Sequence, residues 1–241
     1  MPLLSAIGAI HRYEVHGLHH VPRSGAALLC LNHGPVPIDA GLLGAAIYRQ
    51  QGRLPRALTD HLVFKLPLLR EMFLAAGAVD GRHDLADTLL LRGNLVIVMP
   101  GGAPEAFKSS DRAYELLWRQ RTGFARLAIR TQVPIVPAAC VGIDELYRVP
   151  FDMFELGRKV FRVRSMPLPL AWGIGPLPRP VKLDHHLGAP IPPPGPASAA
   201  EDEAVVIEYR DRVTDAMEAL LAQGLADRAQ RLAIDPERND P

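Results

Sequence analysis

Leu28-Leu-Cys-Leu-Asn-His-Gly-Pro-Val-Pro-Ile-Asp39 is the stretch on which the reading of this chain turns. With Ala26 and Ala27 its first part makes a continuous apolar run, the pattern of a strand buried on both faces. Asn32 and His33 close the run. Gly34, Pro35 and Pro37 then forbid a helix, and an apolar helical pattern begins at about Asp39. His33 is therefore expected at the carboxyl end of a strand, and Asp39 in the first turn of the helix that follows. In α/β sheets that edge is where ligands bind.

Histidine and aspartate in those places suit proton transfer. A hydroxyl attacks poorly unless a base takes its proton as the bond forms, and imidazole titrates in the right range. A carboxylate on the other ring nitrogen fixes the tautomer and stabilises the imidazolium. Helix-terminal amides favour an ionised Asp39. A plain structural role fits as well, with Asp39 as an N-cap and His33 as a hydrogen-bonded turn residue. This element alone does not separate the two.

Around it, short apolar runs alternate with helical patterns. That predicts an α/β fold, a single domain with a mixed central sheet flanked by helices. Strands are expected at Arg12–Val15, Ala26–Leu31, Ala76–Val79, Leu95–Met99, Ile135–Val141, Phe161–Arg164 and Val181–His185. Helices are expected at Asp39–Gln50, Asp84–Arg92 and Arg112–Arg130, the last with Leu116, Leu117, Phe124, Leu127 and Ala128 on one face. Helical periodicity resumes from Glu201 to Ala222. Proline and glycine between Arg164 and Pro196 exclude a continuous helix. The apolar residues there, Met166–Leu170 with Trp172 and Ile174, make either a packed loop or a shallow membrane-contacting one. The chain divides into an N-terminal segment suited to membrane contact (1–11), a main domain (12–199), and an acidic C-terminal helix with a frayed tail (200–241).

At 241 residues, 48% hydrophobic and 22% charged, the composition is that of a folded globular protein. The net charge of +1 hides an asymmetry: from Glu201 onward, 11 acidic residues oppose 5 arginines, so the remainder carries +7. Arg49, Arg53, Arg56, Lys65 and Arg70 are opposed only by Asp60, and Arg158, Lys159, Arg162 and Arg164 by no acid between them. Such surpluses attract lipid headgroups, coenzyme A phosphates or an acidic carrier protein. No helix-turn-helix, zinc-finger or RNP pattern accompanies them, so nucleic acid is not expected as a partner. Cys30 and Cys140 sit in apolar runs as buried thiols, which suits a reducing cytoplasmic compartment. No apolar run reaches the ~18–20 residues of a membrane span. Met1–Ile10 lacks the basic start of a secretory signal. Membrane contact is expected to be peripheral.

Asn32-His33 followed by Asp39 resembles the first block of the lysophospholipid and glycerolipid acyltransferase superfamily. Most members place four residues between His and Asp; the five found here resemble the branch related to monoacylglycerol and diacylglycerol acyltransferases. Further blocks follow in order. Val98-Met-Pro-Gly-Gly-Ala-Pro-Glu105 resembles that branch's acceptor-binding block, and its glycines let backbone amides approach a polar ligand. Gly77-Ala-Val-Asp-Gly-Arg82 stands where relatives present an arginine to the acceptor's phosphate, although a solvated turn fits it equally. Gly123-Phe-Ala-Arg-Leu-Ala-Ile with Val133-Pro134-Ile-Val-Pro137 resembles the fourth block, with Pro134 in an architectural role. The stretch from Pro167 to Pro192 resembles the closing strand and turn. The resemblance covers about Arg12 to Pro194.

What the resemblance implies is transfer of an acyl group from acyl-coenzyme A or acyl carrier protein to a lipid hydroxyl, with no bound cofactor and no metal. His33 and Asp39 would be catalytic, Gly101, Gly102, Glu105 and Arg82 acceptor-binding, and Asn32 and Pro134 supporting. The protein is then expected to be cytoplasmic, on the cytoplasmic face of the membrane. A serine esterase lacks its Gly-x-Ser-x-Gly element here. His11, His16, His19, His20, His185 and His186 show no metal-ligand spacing. The non-enzymatic alternative is a lipid-binding protein on the same scaffold.

Overall fold

The apolar run before His33 forms β2 (Ala27–Leu31), and all five of its residues are buried. Alternation sends Leu28 and Cys30 into a core on one face and Ala27, Leu29 and Leu31 into a core on the other. Coverage on both faces is why the run carries no polar residue. A computed structural model describes residues 2–59, 70–71, 74, 77–152, 173–174 and 177–234. In it β2 is the central strand of a seven-stranded sheet. The others are β1 (Glu14–His16), β3 (Arg56–Thr59), β4 (Ala78–Asp80), β5 (Leu95–Val98), β6 (Ile135–Val141) and β7 (Asp184–Leu187), in the order β1-β7-β6-β2-β5-β3-β4. β2 pairs in parallel with β5 and β6, whereas β7 runs antiparallel to β6 and carries β1 parallel on its outer side.

Helices α1 (Pro2–Ile10) and α2 (Ile38–Gln51) lie on the face that receives Leu29 and Leu31. The opposite face is covered by α3 (His83–Leu91), α5 (Gly123–Thr131) and the long α6 (Glu203–Ile234); the short α4 (Gly102–Ala106) follows β5. Asp202 caps α6 by accepting the amide of Ala204 at 2.9 Å. Val206, Tyr209, Val213, Met217 and Leu221 then bury one stripe of α6 in the main core, so the acidic C-terminal helix is part of the domain's own core. Among the described residues, no helix is long and apolar enough to cross a membrane.

The α/β architecture and the mixed sheet are as expected, and β6 has the expected ends. Two expectations fail. The helix expected over Arg112–Arg130 exists only from Gly123. Before it the chain turns, with Tyr114 in the left-handed region at φ 66° and the Leu117 amide drawn to Glu105 rather than to a helical carbonyl. Strand β3 was not foreseen, because Arg56–Thr59 is half-buried throughout and lacks a clean apolar pattern. β1 begins two residues and β7 three residues further along than expected. β7 is buried yet polar: Asp184 pairs with Lys182 at 3.1 Å and with Arg231, and His186 stacks on His16. Phe161–Arg164, Met166–Leu170 and Trp172 lie outside the described residues. Ile174 forms an isolated bridge with Leu177 and is exposed.

Candidate active site

The carboxyl ends of β5, β2 and β6, three adjacent parallel strands, gather the residues that carry chemistry. His33 stands just beyond β2. Its ring Nδ1 is 2.8 Å from the carbonyl of Gly34, a contact in which only the ring can donate. The proton of the neutral ring therefore sits on Nδ1, and Nε2 keeps its lone pair. Although the residue is partly exposed, the protein packed around it disfavours the imidazolium and lowers the pKa to about 4. Gly34 cannot be replaced without collision, since a Cβ there would lie 2.7 Å from the Ile143 side chain and carbonyl.

The backbone of His33 is tied down from β5. Glu105, on α4 and fully buried, accepts the His33 amide at 2.9 Å with one carboxylate oxygen and the Leu117 amide at 2.8 Å with the other. Burial raises its pKa to about 7, opposed by Lys108 and by the two amides. Gly101 makes room for it, because a Cβ there would fall 2.1 Å from Oε2. Both oxygens are thus committed to the chain itself, and Glu105 holds the His33 loop where an acceptor ligand had been expected. Asn32 does the same from β6: its side chain donates to the Cys140 carbonyl at 3.0 Å and accepts the Cys140 amide at 2.8 Å. It extends the β2–β6 ladder by one residue.

Asp39 lies in the first turn of α2 and is fully buried. Neither of its oxygens has a hydrogen-bond partner, so the expected bond to His33 is not formed in this structure. The loop explains this: Ile38 donates to Val36 in a tight turn at 2.8 Å, and the Gly34 carbonyl already occupies Nδ1. Desolvation raises the Asp39 pKa to about 7, only partly offset by nearby helix amides. Among the described residues, His185 Nε2 stands 3.7 Å from its Oδ2.

A second layer went unnoticed in the sequence. Lys108, two residues past α4, forms a buried ion pair with Asp144 at 3.0 Å, and its charge further disfavours protonated His33. Asp144 also accepts the Tyr114 amide at 2.7 Å. The available signal was a lysine between Phe107 and Ser109 in an arginine-rich chain.

Other expected site residues sit apart from His33's polar contacts. Arg82 is exposed at the start of α3 and pairs with Asp84 at 3.2 Å. Gly102 opens α4 at φ 57°, and Pro134 gives its carbonyl to the Leu28 amide. Cys30 and Cys140 are free, and burial pushes both thiols up. Of the six clustered histidines, His185 falls within reach of Asp39 and Cys140, and His16 within reach of Glu14 and Asp184, at metal-ligand separations. A groove of about 820 Å³ opens between α1, α2 and the end of α6, lined by Tyr13, Leu42, Arg49, Lys182 and Arg231 among others.

A family model described as Acyltransferase matches residues 12–141, the segment that carries His33, Asp39, Arg82, Gly101, Gly102, Glu105 and Pro134. The chain belongs to this acyltransferase family. It is 36% identical over 215 residues to the "DGAT1/2-independent enzyme synthesizing storage lipids" of Bos taurus, covering 88% of this chain and 59% of that protein. The human protein of the same description is also 36% identical, with 88% and 61% covered. An uncharacterised protein of Mycobacterium tuberculosis is 35% identical over 225 residues, with 90% and 63% covered. The chain spans about three fifths of the length of these relatives. Among solved structures, the 1-acyl-sn-glycerophosphate acyltransferase PlsC of Thermotoga maritima shares the fold, with a TM-score of 0.52 at 16% identity, covering 93% of this chain and 80% of that one. Asp144 and His185 lie beyond the segment the acyltransferase model matches.

Proposed function

We propose that the protein is an O-acyltransferase that moves a fatty acyl group from a thioester donor, acyl-coenzyme A or acyl carrier protein, to a hydroxyl of a glycerolipid or lysophospholipid. The observation that carries this reading is the state of His33: Nδ1–H is fixed on the Gly34 carbonyl, which leaves Nε2 a free base beside the sheet edge. Family membership and the relatives' lipid-synthesising description supply the reaction class.

In the proposed step Nε2 takes the acceptor's hydroxyl proton while the oxygen attacks the thioester carbonyl. The carbon–sulfur bond then breaks, and the imidazolium returns its proton to the departing thiolate. Asp39 is the anion that stabilises the imidazolium. Desolvation is the main cause that drives both groups neutral, raising the carboxyl with Asp144 adding to it and lowering the imidazole with Lys108 adding to it. The Gly101 amide is the proposed stabiliser of the oxyanion, since the Gly102 amide donates to the Met99 carbonyl at 3.0 Å. Membrane contact is assigned to α1, whose residues are all apolar except Ser5 and none of which is buried. The proposed location is the cytoplasmic membrane face.

The test is product identification. Purified protein is incubated with long-chain acyl-coenzyme A, or acyl carrier protein, and a pool of lysophospholipids and mono- and diacylglycerols, followed by lipid mass spectrometry. A new ester formed from one acceptor class supports transfer and names the substrate. Binding of lipids without any new ester from either donor would leave a lipid-binding protein on this scaffold.

A further inference from the structure

Asp39 has a neighbour outside the segment matched to the family. Its Oδ2 lies 3.7 Å from Nε2 of His185, both residues are fully buried, and neither atom has a hydrogen-bond partner. On the other side of the same ring, Nδ1 is 2.9 Å from the Tyr13 hydroxyl, with the two rings edge to face. Three separate parts of the fold meet here: the first turn of α2, the middle of β7 and the residue before β1. Leaving a buried donor and a buried acceptor unmatched is costly, and a shift of a few tenths of an ångström would bring this pair within the ~3.2 Å of a hydrogen bond.

An ionised Asp39 carboxylate favours one direction for this chain of bonds. Burial keeps the Tyr13 phenol protonated and the His185 ring neutral. If the phenol donates to Nδ1, the ring proton sits on Nε2 and faces Asp39. The opposite tautomer would turn a lone pair toward a carboxylate. We propose that His185, oriented by Tyr13, is a positioning residue that holds the Asp39 carboxylate through Nε2–H. The chain Tyr13 O–H to Nδ1, then Nε2–H to Oδ2, gives Asp39 a side-chain donor beside the nearby α2 amides. It also links the catalytic aspartate to the α1–α2–α6 groove, whose wall includes Tyr13.

This inference rests on the acyltransferase reading, and the test separates the two. The other groups facing Asp39 are Cys140 on β6 and Asp144 just beyond it; Arg49 faces Tyr13, and His186 faces His185. Tyr13→Phe removes the hydroxyl alone, His185→Leu removes the donor, and His185→Gln keeps an amide donor. In folded protein, kcat is expected to fall about tenfold in Tyr13→Phe and more in His185→Leu, as suits a lost hydrogen bond to a charged group. KM is expected to stay within twofold, the acid limb of the pH–rate profile to move to higher pH, and His185→Gln to recover part of the loss. Nitrogen NMR of labelled histidine reads the tautomer without any activity: His185 is expected as Nε2–H in wild type and mixed in Tyr13→Phe. An Nδ1–H tautomer in wild type, or an unmoved acid limb in both variants, would overturn the proposal. So would one zinc ion per chain retained through chelation by Asp39, Cys140 and His185. A wild type with no transfer but an Nε2–H His185 would sink the acyltransferase reading and leave the hydrogen-bond chain standing.

Discussion

Gly101→Ala should disable the site through Glu105, and the structure sets the size of the effect. The backbone at Gly101, φ −66° and ψ −26°, suits alanine, so any cost is steric. The added Cβ would lie 2.1 Å from Glu105 Oε2 and 2.5 Å from its Cβ. Rotating the carboxylate cannot relieve the second contact, so α4 must move. The bonds to the amides of His33 and Leu117 then go together. Hydrogen bonds to a charged group contribute about 1.5–3 kcal/mol each, which puts the loss at about 3–6 kcal/mol. At roughly 2–4 °C per kcal/mol for a chain of this size, Tm should fall by about 6–24 °C. Urea unfolding of Gly101→Ala, Glu105→Ala and the double variant is the assay. The double variant should cost more than Glu105→Ala alone but less than the sum of the two, because the carboxylate contacts are gone while Glu105→Ala keeps the Cβ that lies 2.5 Å away. Additive costs, or a Gly101→Ala protein as stable and active as wild type, would refute the bridge from Glu105 to His33.

Three further outcomes follow from the same geometry. Asp39 stays protonated below its raised pKa of about 7, so transfer should rise with pH through a limb near 7; the residual activity of Asp39→Asn should show only the His33 limb near 4. A limb near 7 that survives in Asp39→Asn belongs to Glu105 and contradicts this assignment. Lys108→Met strands the buried Asp144 carboxylate and should cost about 3–5 kcal/mol by chemical denaturation, with Lys108→Met/Asp144→Leu recovering most of it. Asn32→Leu breaks both bonds to the Cys140 backbone and should cost about 2–4 kcal/mol, and Asn32→Asp, which keeps the acceptor but sets a buried carboxylate oxygen against the Cys140 carbonyl, should cost at least as much.

What could be read in the sequence was local. The β2 run, the Pro-Gly turn and the start of α2 are short-range signals, and they placed His33 at the sheet edge correctly. β6 was legible for the same reason, as seven buried residues in a row. The errors came where a distant residue decides. Leu116, Phe124, Leu127 and Ala128 are buried as their spacing suggests, yet a carboxylate from α4 claims the Leu117 amide and ends any helix there. Asp184, His185 and His186 look like surface residues, but Tyr13, His16 and Arg231, far away in the chain, make them an interior strand. The partners of Glu105 are likewise set by distant residues. A glutamate after two glycines suggests a ligand, and only the fold shows that His33 and Leu117 take both of its oxygens. The five-residue spacing between His33 and Asp39 was visible; that Gly34 would hold the ring instead was not.

The central claim is that His33 is the base for acyl transfer, and free thiol release tests it most directly. Wild type and His33→Ala, matched for folding by circular dichroism, are given long-chain acyl-coenzyme A with and without the acceptor found by lipid mass spectrometry. Acceptor-dependent thiol release is expected in wild type, with a loss of about a hundredfold or more in His33→Ala, the scale of a general base. Equal rates in the two folded proteins would contradict it.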